Sequence, residues 1–306
     1  MDMNKRILIG PSTFAAENSA PLDKLIGHYF KVVKNPFGRK LAPEELRDLL
    51  QGVEGIIAGL ETLNREVLER SELKVISRCG AGLSNIDLRA AKKLGIKVFY
   101  TPDAPTNAVA ELCVGAMISL IRHIPQMSNE LHSLRWSKQV GAQLEGRVVT
   151  IVGFGRIGSR VAELLAPFKV KIICVDPKYK GSSKAIRKLT LDKALPKSDI
   201  VTIHASGEKA ILGTKELQIL KPGAYLLNCA RGGIIEEQAL ISALNKGIVA
   251  GAWIDCFQEE PYHGPLSKYP QVILTPHIGS YTSECRSRME MECVDNLIKG
   301  FKKSKG

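Results

Sequence analysis

Three glycines in the pattern Gly153–Phe154–Gly155–Arg156–Ile157–Gly158 constrain this chain more than any other feature. They follow directly on the apolar run Val148–Val152 and open a helical pattern through Val161 and Leu165. That placement predicts the strand, turn and helix of a parallel βαβ unit. In such a turn the first glycine permits the tight reversal, the second lets backbone approach a pyrophosphate, and the third lets helix and strand pack closely. The N–H groups of Arg156 and Ile157, at the positive end of the helix dipole, would face the anion. Asp176 stands 18 residues beyond Gly158, at the end of the next apolar run, Lys171–Val175. A carboxylate there accepts from the adenosine ribose and repels a 2′-phosphate, so the expected cofactor is NAD rather than NADP. Lys178 and Lys180 work against that preference.

The rest of the chain extends the same pattern. Before the glycine turn, apolar runs fall at Arg6–Gly10, Tyr29–Val33, Gly55–Ala58, Lys74–Ser77 and Lys97–Tyr100. From the turn onward a six-stranded set follows: Val148–Val152, Lys171–Val175, Ile200–Ile203, Tyr225–Asn228, Ala250–Ile254 and Val272–Leu274. Runs that are apolar throughout and separated by helical patterns predict α/β architecture with parallel sheets covered on both faces. A long helical stretch, roughly Asn107 to His123, stands between the two series as a spine, and a last helix at about Thr282 to Lys299 follows the second. The reading is two doubly wound parallel-sheet domains, with residues 1–102 and a returning C-terminal helix, 284–306, in one and residues 103–283 in the other. A chain of 306 residues is long enough for two such cores.

Composition narrows the surroundings. No apolar run reaches the roughly 18–20 residues of a membrane span, and the opening MDMNKRILIGPST is too short for a signal-peptide core. Seven scattered cysteines without a CxxC pair do not form a disulfide framework, and a reducing cytoplasm is expected. The net charge is +12, yet the only dense basic cluster is the tail Lys299–Lys305 and no nucleic-acid motif accompanies it. Steering of small anionic ligands is the favoured meaning of that charge. Six scattered histidines suggest no metal site.

A second group of residues completes the chemistry. Asn228–Cys229–Ala230–Arg231–Gly232–Gly233, Asp255–Cys256–Phe257–Gln258–Glu259–Glu260–Pro261 and Thr275–Pro276–His277–Ile278–Gly279–Ser280 each lie just past the C-terminal end of a strand of the second series. Ligands bind at that edge of an open α/β sheet. A guanidinium there can hold a carboxylate bidentately and polarise a C2 oxygen. An imidazole can move the hydroxyl proton, and a carboxylate on its far nitrogen fixes the tautomer and raises its basicity. Together they suit hydride transfer between a 2-hydroxy acid and a nicotinamide.

From about Leu73 to Met289 the chain resembles the D-isomer-specific 2-hydroxyacid dehydrogenases. Asn228–Ile235 and Arg78-Cys-Gly-Ala-Gly-Leu-Ser-Asn-Ile-Asp87 are most similar to the D-3-phosphoglycerate dehydrogenase branch. The resemblance implies a Rossmann NAD-binding domain inserted into a flavodoxin-like substrate domain, and a homodimer formed through the inserted one. It implies catalysis by Arg231, Glu260 and His277, with His277 and Glu260 handling the proton. Asp255 would hold the nicotinamide carboxamide, and His204, Ala205, Cys229, Ala230, Gly279 and Ser280 would complete the cofactor site. Gly80, Ala81 and Gly82 would present N–H groups to the substrate carboxylate, with Arg78 as a further candidate for a substrate anion. D-3-phosphoglycerate/3-phosphohydroxypyruvate is the leading substrate pair. A hydroxypyruvate/glyoxylate-type reductase is the alternative, and an NADH-sensing co-repressor is the alternative from another class.

Three departures bear on that assignment. His204–Ala205–Ser206–Gly207 stands where many members have His-x-Pro-Leu, and Trp253 where a small residue or Leu is common. The loop Ala58–Gly59–Leu60–Glu61–Thr62 carries an acid where phosphoglycerate enzymes often carry an Arg. Ending at Gly306, the chain is expected to be a short form without a serine-binding regulatory domain.

Overall fold

The computed structural model describes residues 5–181, 185–207 and 209–302, so the end of the basic tail, 303–306, lies outside the described residues. The chain divides into two compact units, Met1–Pro105 with Tyr281–Gly306, and Thr106–Ser280. The sequence reading puts the corresponding boundaries at 102/103 and 283/284.

The first unit contains β1 (Arg6–Ile9), β2 (Lys31–Lys34), β3 (Gly55–Ala58), β4 (Val75–Arg78) and β5 (Lys97–Tyr100). All pair in parallel, in the order β2-β1-β3-β4-β5, the flavodoxin-like arrangement. Its two faces carry separate cores. One gathers Leu8, Leu46, Ile56, Leu68 and Ile76. The other gathers Ile7, Ile9 and Val75 under the last helix, Ser283–Phe301, through Met289, Cys293, Val294 and Leu297. The Ser77 hydroxyl donates to the Cys293 carbonyl at 2.8 Å, so helix and β4 are joined by a buried polar contact as well as by packing.

The second unit contains β6 (Val148–Val152), β7 (Lys171–Val175), β8 (Ile186–Lys188), β9 (Ile200–Ile203), β10 (Ala224–Asn228), β11 (Val249–Ile254) and β12 (Val272–Leu274). Its parallel order, β12-β11-β10-β9-β6-β7-β8, is the doubly wound arrangement with its switch point between β6 and β9. Among the described residues the sheet has seven strands rather than the six expected. The extra one, β8, reads Ile-Arg-Lys with two exposed side chains and pairs only with β7, so no apolar run announces it. The predicted spine is Thr106–Ile121, a core helix of this unit with Cys113, Met117 and Leu120 buried. It stops at His123, whose backbone is left-handed (φ 52°), and Ile124–His132 starts a new helix with Pro in its first turn.

Candidate active site

The glycine turn has the geometry its spacing predicts. Gly153 has φ 90°, and a Cβ there would sit 2.5 Å from the Ala205 nitrogen, so any side chain would collide with the backbone at the end of β9. A Cβ on Gly158 would lie 2.1 Å from the Gly153 carbonyl oxygen, which is the close helix-to-strand contact the third glycine allows. Gly155 is different: nothing lies within 4 Å of its would-be Cβ. It precedes the helix Arg156–Leu165, which no side chain caps. An open space above an uncapped helix start fits a dinucleotide pyrophosphate. Asp176, at the end of β7, accepts from Phe154 N–H and Lys178 N–H, each at 2.7 Å, and so sits against the turn where a ribose would lie.

Three neighbouring strands, β10, β11 and β12, deliver the remaining groups to one sheet edge. After β10, Asn228 accepts from Ala230 N–H and donates to the Arg231 carbonyl, fixing the backbone under Arg231. The guanidinium of Arg231 donates to the Ala230 carbonyl at 2.6 Å. Gly232 is required here because a Cβ would meet the Phe257 carbonyl at 2.0 Å, so the loops after β10 and β11 are pressed together.

Glu260, after β11, accepts from Phe257 N–H at 3.0 Å and faces His277 Nδ1 with both oxygens at 3.0 Å. Nδ1 therefore carries its proton toward the carboxylate, and Nε2 is the nitrogen left for chemistry. Burial pushes the His277 imidazole down. The partners Cys256 and Glu260 outweigh it, and the pKa is pushed up to about 10. His277 itself has φ 54°, a strained conformation for a residue with a side chain.

What holds that strained turn is a buried relay. Trp253 Nε1 donates to the Thr275 hydroxyl at 2.8 Å, and that hydroxyl donates to Asp255 at 2.6 Å. Asp255 also accepts from Ile278 N–H at 2.9 Å and Gly279 N–H at 3.0 Å. The resemblance gives Asp255 to the nicotinamide carboxamide. Here it is 1% exposed and its hydrogen bonds go to the loop that carries His277. Burial raises its carboxyl pKa and these donors pull it back. The sequence reading names Thr275 only as the start of its segment and gives it no role, since a lone Thr at a strand end carries no signal. Ser280 ends the unit, half-buried.

In the first unit the loop after β4 carries Arg78 and Gly80–Ala81–Gly82. Gly80 has φ 137° and its N–H donates to the Thr101 hydroxyl at 2.8 Å, so Ala81 and Gly82, not Gly80, are the loop's remaining N–H donors. Arg78 is 8% exposed and its guanidinium turns back to the Cys79 carbonyl. Asp87, a conceivable partner for it, instead caps the helix Leu88–Lys93 by accepting from Arg89 and Ala90 N–H. The acid beside Arg78 is Glu61, 2% exposed, which accepts from Gly59 N–H. Burial pushes the Glu61 carboxyl up, and the charges of Arg78 and Lys40 draw it back.

Among the described residues, three side chains far apart in the sequence also come together in the second unit. One sulfur from each of Cys113 and Cys229 and one ring nitrogen of His204 lie within 4.8 Å of one another. Spacing along the chain could not show this, because the residues come from the core helix and the ends of β9 and β10.

Residues 114–279 match the family described as D-isomer specific 2-hydroxyacid dehydrogenase, NAD binding domain. A hydroxypyruvate reductase of Thermotoga maritima is 33% identical over 270 residues, which cover 85% of this chain and 88% of that protein. A D-3-phosphoglycerate dehydrogenase of Sus scrofa is 36% identical over 271 residues, 85% of this chain, which spans 51% of that longer protein. Among solved structures, a glyoxylate reductase from Paecilomyes thermophila superposes with a TM-score of 0.87 at 28% identity, covering 99% of this chain and 97% of that one.

Proposed function

This chain belongs to the D-isomer-specific 2-hydroxyacid dehydrogenase family, and we propose that it uses NADH to reduce a small unphosphorylated 2-keto acid, of the hydroxypyruvate/glyoxylate type, to the D-2-hydroxy acid. The observation that carries the substrate choice is the buried pairing of environments in the first unit. Arg78 is turned into its own loop, and its neighbour after β3 is an acid, Glu61. A second substrate anion needs an exposed cation, and an acid beside the site works against it. The phosphoglycerate reading keeps the support of the stretches Asn228–Ile235 and Arg78–Asp87 and of the D-3-phosphoglycerate dehydrogenase relatives.

When bound, the nicotinamide supplies the hydride for reduction and takes it back for oxidation. The chain's own groups do the rest. Arg231 grips the carboxylate and polarises the C2 oxygen. His277, protonated at neutral pH, gives its Nε2 proton to that oxygen as charge develops there. Glu260 holds the ring and stabilises the imidazolium. Asp176 selects NADH over NADPH.

The same reading makes the protein a cytoplasmic homodimer associating through the second unit. Seven free, buried cysteines support a reducing compartment. Leu134, Trp136 and Val140, which are 94%, 80% and 98% exposed, support an apolar contact there.

Steady-state kinetics with NADH and glyoxylate, hydroxypyruvate and 3-phosphohydroxypyruvate test the substrate choice. The phosphorylated acid should be the poorest by at least about tenfold in kcat/KM, the worth of one lost charge-assisted contact. Glu61→Gln should improve that substrate alone, and Arg78→Ala should lower melting temperature and hurt all three alike. A preference for 3-phosphohydroxypyruvate that Arg78→Ala abolishes selectively would sink the proposal in favour of D-3-phosphoglycerate.

A further inference from the structure

We propose that Cys113, His204 and Cys229 form a binding site for one soft metal cation of the zinc class, built into the core of the second unit beside the glycine turn. Their donor atoms already lie within 4.8 Å of one another, drawn from three different elements of a packed sheet and helix. A tetrahedral centre with bonds of about 2.0–2.3 Å separates its donors by roughly 3.3–3.8 Å, so the ligands need to close by about 1 Å or less.

The surroundings support coordination in detail. His204 Nδ1 faces the Cys229 sulfur at 3.5 Å, while Nε2 lies 2.9 Å from the Thr202 hydroxyl and 3.9 Å from the Cys113 sulfur. With Nδ1 on the metal, Nε2–H donates to Thr202, which is the outer hydrogen bond that fixes a metal-binding imidazole. The Thr202 oxygen is in turn 3.2 Å from the Cys113 sulfur and can donate its own proton to a thiolate.

Charge decides whether such a site can exist in a core. Cys113 is fully buried and Cys229 is 9% exposed. Binding a divalent cation expels the two thiol protons to solvent, and two thiolates with a neutral imidazole then cancel its charge, so nothing uncompensated is buried. Two sulfurs and one nitrogen select zinc, cadmium or copper(I) over magnesium or calcium. Cys229 and the half-buried His204 form the open side, and Cys113 closes the site from the helix.

The test is an anaerobic titration of the reduced, chelator-treated full-length protein with Co²⁺. The expected result is about one equivalent bound per chain, with a near-ultraviolet thiolate-to-cobalt charge-transfer band that Zn²⁺ bleaches. Cys113→Ser and Cys229→Ser should each weaken binding at least about a hundredfold, and Thr202→Val about tenfold. Cys113→Ser should keep its melting temperature and its NADH turnover in metal-free buffer, which separates this result from misfolding and from failure of the proposed enzymatic reading. A charge-transfer band that survives both cysteine substitutions would overturn the proposal. So would a chain with all its thiols reduced that shows no such band, or one in which diamide links Cys113 to Cys229 while Co²⁺ finds no site.

Discussion

His277 occupies left-handed backbone, φ 54°, with its ring on both oxygens of Glu260, and in the proposed reaction it is the proton donor. Replacing it by Ala should lower kcat by about 10²-fold or more while leaving NADH affinity nearly unchanged. Its pKa of about 10 lies above the value of 6.5 for a free imidazole, so folding favours the charged form. Stability from this ring is therefore present in full below pH 6.5 and is lost as pH rises toward 10. Keto-acid reduction needs the imidazolium and should hold across neutral pH, then fall near pH 10. In Glu260→Gln that alkaline limb should move down by a unit or more. An unmoved limb in the pH profile of kcat/KM would mean that Glu260 does not set the pKa. At the other end of the site, Asp176→Ala should narrow the NADH-over-NADPH preference, read from kcat/KM with both cofactors. Residue types in order along the chain made Arg231, Glu260 and His277 legible. The hydrogen bonds that spend Gly80 N–H on Thr101 and turn Asp255 toward the loop carrying His277 depend on three-dimensional neighbours, which a linear pattern does not contain.

At the scale of elements, strands with apolar interiors announce themselves and marginal ones do not. β3, β6, β7 and β9 coincide with the runs read from the sequence, because interior parallel strands are buried on both faces, and the edge strands β5 and β12 coincide as well. β8 escaped because pairing with β7, not its own residues, makes it a strand. Trp253 illustrates a departure whose purpose only the fold reveals. It is fully buried in β11 and anchors β12's end through Thr275 and Asp255. Trp253→Phe keeps the ring but removes the N–H, which should cost about 1–3 kcal/mol and lower the melting temperature by several degrees. It should also depress kcat more than it raises KM, since the loop it steadies carries His277. A variant with unchanged melting and unchanged kcat would show that the relay does not position that loop.

For the whole molecule, two α/β units with parallel sheets follow from the alternation of runs and helices, and the glycine turn identifies which unit takes the dinucleotide. Assembly is less legible, since Leu134, Trp136 and Val140 look unremarkable in a polar stretch until their exposure is known. If they form the dimer contact, Trp136→Ala with Leu134→Ser should weaken association by at least about tenfold in sedimentation equilibrium, and a wild-type monomer at micromolar concentration would remove that role. In the proposed reaction a nicotinamide hydride is delivered to C2 of a 2-keto acid, with the D-configuration set by Arg231 and His277. Single-turnover reduction of glyoxylate and hydroxypyruvate with C4-deuterated NADH, followed by mass spectrometry and chiral separation of the products, measures that directly. The expected result is one deuterium at C2, exclusively D-glycerate from hydroxypyruvate, and label transfer slowed about a hundredfold or more in His277→Ala. Product without deuterium at C2, or L-glycerate, would contradict it.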